Sequence, residues 1–243
     1  MPVITIVGLG PGPVAGLTRE AEQALLLSDK VFVRTAGHPV CQWLRDQGRQ
    51  VISFDHLYTI PWPQQSDIYE FIAGALMTEA SLRGTVVYGL PGSPVVLEST
   101  SHDLRRRGAD KGIDVKIVLA VGFLDQVLAE VNLDSGMGFQ VVLPLRHLQH
   151  GHFDRHLPMI VCQIQATRSN TPSRVDLTMK WLLDVYPDSH PVTLVWTDGL
   201  PAYVTQSSVV ALCDLEKAYG KARYFASLYV PPLPRPDNRL ASM

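Results

Sequence analysis

The sequence predicts an α/β protein built as two α/β domains, and three observations carry that expectation. Short, almost wholly apolar runs such as Val3-Ile4-Thr5-Ile6-Val7 recur through the first half, separated by segments of helical spacing. That alternation is the pattern of a mostly parallel sheet covered on both faces. Two glycine-proline loops each follow one of those runs. The second half has fewer helical segments per strand, which points to a mixed sheet.

The first strand, Val3–Val7, enters a glycine loop, and Thr18 then caps a helix. Glu20 and Glu22 lie in its first turn, where the helix dipole favours acids. Lys30–Arg34 is a second strand, His38–Asp46 a helix and Gln50–Phe54 a third strand. A helix from Ser66 to about Ser81 sets Ile68, Phe71, Ile72, Ala75 and Leu76 on one face. Val86-Val87-Tyr88 is the fourth strand; a helix Glu98–Arg107, a strand Val115–Leu119 and a helix from Phe123 to Val131 follow. Beyond them come strands Gln140–Leu143 and Met159–Ile164, separated by a histidine-rich loop from Pro144 to Pro158. A helix near Val175–Val185, a strand Pro191–Trp196 and a strand near Tyr224–Val230 complete the reading. The change of texture places the domain boundary near residues 115 to 120, giving domains 1–118 and 119–234. The proline-rich stretch after Pro231, Pro-Leu-Pro-Arg-Pro-Asp-Asn, continues neither a central strand nor a helix, and residues 235–243 read as a flexible tail.

Composition excludes several classes. Among 243 residues, 21 Lys and Arg stand against 23 Asp and Glu, for a formal net charge of −2. The densest basic patch, Arg105-Arg106-Arg107, is short, so a nucleic-acid footprint is not expected. No apolar stretch reaches the roughly 20 residues that cross a bilayer, and the first residues read as a buried strand and not a signal peptide. Cys41, Cys162 and Cys213 are odd in number and far apart, which suits a reducing cytoplasm and suggests neither a disulfide framework nor a metal site.

The chemistry concentrates in the loops. Gly8-Leu9-Gly10-Pro11-Gly12-Pro13 follows the first strand, and Tyr88-Gly89-Leu90-Pro91-Gly92-Ser93-Pro94 follows the fourth. A dinucleotide fingerprint fails because Pro13 occupies its last glycine position and the helix begins only at Thr18; a P-loop fails because no Gly-Lys-Ser/Thr follows. Open parallel sheets bind ligands beyond the carboxyl ends of their strands, so the two loops are expected to share one cleft.

Ile4-Thr5-Ile6-Val7-Gly8-Leu9-Gly10-Pro11-Gly12, then Leu17-Thr18 and Ser28-Asp29-Lys30-Val31, resembles the opening of the tetrapyrrole (corrin/porphyrin) methylase family. Arg34-Thr35 with His38-Pro39, Phe123-Leu124-Asp125, and Ser227-Leu228-Tyr229-Val230-Pro231-Pro232 resemble its subgroup fused to MazG-type nucleotide pyrophosphohydrolases. The resemblance implies a methyltransferase with S-adenosylmethionine held between two α/β domains of a homodimer. Carried over by position, the cofactor contacts are Pro11, Pro91, Gly92, Ser93, Val96, Gly122, Phe123, Ile164, Thr197, Asp198, Ala226 and Ser227. Better-known members have an acid where Ser93 stands. A small molecule or peptide is the implied methyl acceptor.

Candidates for base or substrate orientation are Arg34, His38 and Tyr88, with Asp55 and Tyr58 behind them. His38 can titrate near neutrality or merely start a helix with Pro39; Tyr88 can serve a site or the core. His147, His150, His152 and His156 have spacings that metal ligands can use, yet no cysteine or carboxylate set accompanies them, and no metal is expected. Trp43, Trp62, Trp181 and Trp196 are dispersed and read as packing. Two further readings stand beside the methyltransferase: a degenerate methylase-fold module serving a nucleotide pyrophosphohydrolase, and another nucleotide-binding enzyme. No Glu-rich helical repeat of the kind a magnesium-dependent pyrophosphohydrolase needs occurs in the sequence.

Overall fold

The structure, a computed structural model, describes residues 1–164, 174–197, 205–220 and 226–235. It divides into two compact units, one spanning Met1–Asp125 and the other formed from Gln126 onward.

In the first unit, five strands lie in one parallel sheet: β1 (Val3–Gly8), β2 (Lys30–Val33), β3 (Gln50–Ser53), β4 (Thr85–Leu90) and β5 (Asp114–Val118), in the order β3-β2-β4-β1-β5. Helices α1 (Arg19–Leu26) and α2 (Pro39–Asp46) cover one face, closing a core of Val7, Leu9, Leu25, Val31, Val33 and Leu44. Helices α3 (Gln65–Arg83) and α4 (Ser99–Asp110) cover the other, over Ile4, Ile6, Ile72, Leu76, Tyr88 and Leu104. Burial of both faces is why these strands read as continuous apolar runs. The Thr18 hydroxyl accepts the Ala21 N–H at 3.1 Å and so caps α1. Phe71 departs from the expected core face of α3: it is 51% exposed and packs against Trp62, with ring centroids 5.8 Å apart. At the end of this unit, α5 (Phe123–Glu130) begins.

The second unit holds a mixed sheet of β6 (Gln140–Val142), β7 (Met159–Val161), β8 (Pro191–Thr197), β9 (Thr205–Ala211) and β10 (Ser227–Val230), ordered β6-β7-β10-β8-β9. Only β6 and β7 pair in parallel; the other neighbours are antiparallel. Helices α6 (Arg174–Leu183) and α7 (Leu215–Tyr219) pack with this sheet through Val175, Leu182 and Leu215. Two α/β sheets, one parallel and one mixed, are thus present as expected.

The sequence reading omitted β9 and α7. Thr205-Gln206-Ser207-Ser208 is polar, and β9 is an edge strand whose Val209 is 69% exposed, so alternation is weak. Its seven residues are nevertheless fully registered against β8. β7 stops three residues earlier than expected because Gln163 turns into left-handed backbone at φ 57°.

No helix among the described residues is long and apolar enough to cross a membrane.

Candidate functional site

The parallel sheet of the first unit brings the loops after β1, β2, β4 and β5 to one edge. From β1 the chain runs to α1 on one face, and from adjacent β4 to α4 on the other. A point where two neighbouring strands send their connections to opposite faces is where an open α/β sheet offers a ligand crevice. At that point the two glycine loops are tied together. Gly10 and Gly92 form an antiparallel bridge, with Gly92 N–H donating to the Gly10 carbonyl at 2.7 Å and Leu9 N–H to the Leu90 carbonyl at 2.8 Å. Both glycines have positive φ, 75° and 70°, which a side chain would strain. A Cβ on Gly92 would meet nothing within 4 Å, so its backbone faces open space.

Pro11 and Pro91 flank this bridge and are half-buried, while Ser93 is buried. Gly122 lies close to Ser93, since a Cβ there would stand 3.1 Å from the Ser93 Cβ. The Gly122 N–H donates to Asp125 Oδ2 at 2.8 Å, and Phe123 is half-buried at the start of α5. Val95, Leu97, Leu119 and Val121 are exposed on the segments following β4 and β5, with Val96 half-buried among them. This edge therefore combines bare glycine backbone with an apolar rim.

The remaining cofactor residues of the sequence reading lie in the second unit. Ile164 is fully buried in the core beside Val161 and Ala226. Thr197 ends β8 opposite Thr205, and Ser227, buried, opens β10 opposite Val195. Asp198 falls outside the described residues.

His38 is 5% exposed, and its ring is held by backbone on both sides. Nδ1 accepts the Val40 N–H at 3.3 Å, which caps α2 ahead of Pro39, and Nε2 faces the Gly10 carbonyl at 3.2 Å. A carbonyl can only accept and an N–H only donate, so these partners select the neutral tautomer protonated on Nε2. Burial lowers its pKa from the ordinary value, against a smaller raising effect of the Gly10 hydrogen bond. His38 thereby joins α2 to the glycine bridge.

A pH dependence follows. With the folded pKa below the unfolded one, the unfolded chain takes up the proton first, so this contribution to stability is complete above about pH 6.5 and declines as pH falls through that value. Thermal unfolding of the wild type is expected to lose up to about 1.4 kcal/mol per pH unit there from this group. His38→Asn keeps a capping side chain and should show a flatter profile between pH 7.5 and 5.5; parallel profiles would show that His38 does not titrate on unfolding.

Arg34 leaves the end of β2, and its backbone N–H donates to the Gly89 carbonyl at 3.2 Å. Its Nη1 pairs with Glu98 Oε2 at 2.6 Å. Glu98 was read only as a helix start. It precedes α4 and is preceded by Leu97 at φ 53°, a left-handed conformation that a leucine rarely adopts. The signal available in the sequence was an acid directly after the apolar Val95-Val96-Leu97. Tyr88, on β4, is fully buried in the α3/α4 face, and its hydroxyl has no hydrogen-bond partner. Burial raises its pKa well above the ordinary value, and burial pushes Tyr58 up to about 12, so both hydroxyls stay protonated at neutral pH. Asp55 accepts the Ala36 N–H at 2.7 Å; although burial works to raise its pKa, hydrogen bonds from Ala36, Thr35 and Ser53 bring it below the ordinary value.

The histidine-rich loop uses its rings structurally. His147 Nδ1 accepts the Leu143 N–H at 2.9 Å, His156 Nδ1 meets the Leu233 carbonyl at 3.2 Å, and His150 lies 5.8 Å from His152 between ring centroids. Among the described residues no group of three or more His, Cys, Asp or Glu is gathered as a metal cage.

A parallel α/β sheet with two bridged glycine-proline loops at its carboxyl edge, accompanied by a mixed α/β unit, defines the class of protein. Residues 3–209 match the Tetrapyrrole (Corrin/Porphyrin) Methylases, and the chain belongs to that family. It is 32% identical over 239 residues to YabN of Bacillus subtilis (strain 168), a match covering 95% of this chain but 45% of that protein. The chain thus spans about half the length of the curated relative it matches. Among solved structures it is similar to uroporphyrin-III-C-methyltransferase from Thermus thermophilus, with TM-score 0.70, 19% identity and coverage of 97% of this chain and 98% of that one. Diphthine synthase, at TM-score 0.68 and 16% identity, covers 95% of this chain and 90% of its own. At such identities the likeness is one of fold.

Proposed function

We propose that this chain is an S-adenosylmethionine-dependent methyltransferase of the tetrapyrrole methylase type. The observation that carries the reading is the Gly10–Gly92 bridge, at which the bare Gly92 backbone opens into free space, with Val95, Leu97, Leu119 and Val121 exposed on the segments around it. Backbone groups there can meet the polar amino-acid end of such a cofactor, and the apolar rim suits the flat face of a purine. The cofactor supplies an activated methyl group when bound. The chain's own residues then have three tasks. Pro11, Pro91, Gly92, Ser93, Val96, Gly122 and Phe123 shape the cofactor side of the first unit. From the second unit the same reading assigns Ile164, Thr197, Asp198, Ala226 and Ser227 to the cofactor. Arg34 and Tyr88 orient the acceptor with donors, and His38 holds the glycine bridge in place. The buried Ser93 hydroxyl, standing where better-known members carry an acid, offers one hydrogen bond and no charge.

Within the family, we place the chain nearest the methylase-like domain fused to MazG-type nucleotide pyrophosphohydrolases; support comes from a relative more than half of whose length lies outside the match. A small-molecule or peptide acceptor, a homodimer and a cytoplasmic location belong to the same proposal. That relative's extra length also favours a second reading, a methylase-fold module that serves a pyrophosphohydrolase without transferring methyl groups.

Calorimetric titration with S-adenosylmethionine and S-adenosylhomocysteine tests the first reading. Micromolar binding is expected. Gly92→Arg should abolish it while the protein stays folded, because the side chain fills the open space and left-handed backbone costs only about 1–2 kcal/mol. Absence of binding to the wild type would leave the module reading in its place, and unchanged affinity in Gly92→Arg would remove the proposed site.

A further inference from the structure

The loop after β4 meets the start of α5 at a corner of the first unit, and that corner carries a carboxylate the glycine bridge itself lacks. Ser93 directly follows Gly92 and is 9% exposed; among the described residues its hydroxyl has no hydrogen-bond partner. A Cβ placed on Gly122 would stand 3.1 Å from the Ser93 Cβ and 3.6 Å from Asp125 Oδ2, so Ser93 and Asp125 face one point that only a glycine leaves clear. All three residues belong to the first unit. Asp125 Oδ2 accepts the Gly122 N–H at 2.8 Å, the reach-back bond of an acid in the first turn of a helix. That bond uses one of about four acceptor sites on a carboxylate. Asp125 is exposed, and among the described residues no cation pairs with it. Glu98, the other acid that follows this loop, is by contrast buried and held by Arg34.

We propose that Asp125, with the Ser93 hydroxyl beside it, recognises the ammonium group at the amino-acid end of the cofactor. The inference rests on the methyltransferase reading and adds to its cofactor site a residue outside the glycine loops. The physical reason is charge. An ammonium taken out of water needs an anion and acceptors for its donors, and bare backbone with one serine hydroxyl supplies no charge. Asp125 supplies it, and its bond to the Gly122 N–H fixes the carboxylate beside Ser93 before any ligand arrives. A bound cofactor would cover this exposed acid, so the pair counts for more than an ion pair left in water. The same corner discriminates: an adenosyl thioether without the amine leaves Asp125 unpaired and forfeits the interaction.

The test is calorimetric titration of the full chain at neutral pH with S-adenosylhomocysteine and with its deaminated analogue, in which hydrogen replaces the α-amino group. The wild type is expected to bind the amine about tenfold more tightly, the worth of one charge-assisted hydrogen bond. Asp125→Asn keeps an oxygen for the Gly122 N–H, so its melting temperature should match that of the wild type while the preference for the amine disappears. The deaminated analogue should bind both proteins alike. Equal affinity of the wild type for the two ligands would overturn the proposal, and so would an undiminished preference for the amine in Asp125→Asn. Loss of both ligands together with a lowered melting temperature would reduce Asp125 to a helix cap and overturn it too. Failure of the wild type to bind S-adenosylhomocysteine at all would instead sink the methyltransferase reading.

Discussion

Gly8→Ala is expected to destabilise the protein by about 2–3 kcal/mol and to weaken S-adenosylhomocysteine binding more than tenfold. The methyl group would stand 2.6 Å from the Ala120 Cβ, 2.8 Å from the Gly92 carbonyl oxygen and 2.8 Å from Pro94 Cδ. None of these is the far end of a flexible side chain. The nearest rotatable group cannot swing aside, so the loops after β4 and β5 must move, and the Gly10–Gly92 bridge moves with them. Gly74→Ala supplies the contrast. Gly74 lies inside α3, and an added Cβ would meet only Arg107 Nη2 at 4.0 Å, so the change should stabilise by about 0.5–1 kcal/mol through helix propensity. Urea unfolding of both variants separates the cases. A Gly8→Ala protein as stable as wild type would mean that the loops after β4 and β5 pack less tightly than described.

Arg34→Ala is expected to cost about 3 kcal/mol near neutral pH, and Glu98→Ala noticeably less. The asymmetry follows from burial. An Arg34 without its partner can turn toward water, whereas an orphaned Glu98 is enclosed. The sign of the pH dependence identifies the cause. Loss of the cation raises the folded-state pKa of Glu98 further above its unfolded value, so the folded form prefers the proton. The Arg34→Ala penalty should then shrink as pH falls from 8 toward 5, opposite in direction to the acid sensitivity expected from His38. Denaturant midpoints across that range decide it. A penalty independent of pH would show that lost packing of the arginine stem, not a stranded carboxylate, dominates.

Much of the first unit was legible in the sequence, for identifiable physical reasons. β1, β2 and β4 are buried on both faces, so their apolar runs are unbroken, and α1 announces itself through the Thr18 cap and the acids of its first turn. The helix α2 begins where His38-Pro39 suggests, but the same dipeptide was also compatible with a titrating base; only the positions of Gly10 and Val40 show what the ring touches. β9 escaped because an edge strand can be polar on either side. Phe71 was misplaced because helical spacing does not know that Trp62 waits outside the core. At the sheet edge the tight glycine turns were readable from their spacing, whereas the pairing of Glu98 with Arg34 was not, since it joins positions 64 residues apart. Ion pairs closed by the sheet leave no local periodicity.

The position of β10 has a consequence for how the protein is made. Among the described residues it is the last strand in sequence, yet it lies in the middle of its sheet, between β7 and β8. While the chain is still being synthesised, the β6–β7 pair and the β8–β9 hairpin each have an open edge where β10 belongs, and neither can close on the other. The second unit is therefore completed in a single late event, after residue 230 has left the ribosome, and until then it offers exposed strand edges of the kind that chaperones cover and aggregates exploit. The first unit, whose five strands are all present by residue 118, has no such wait.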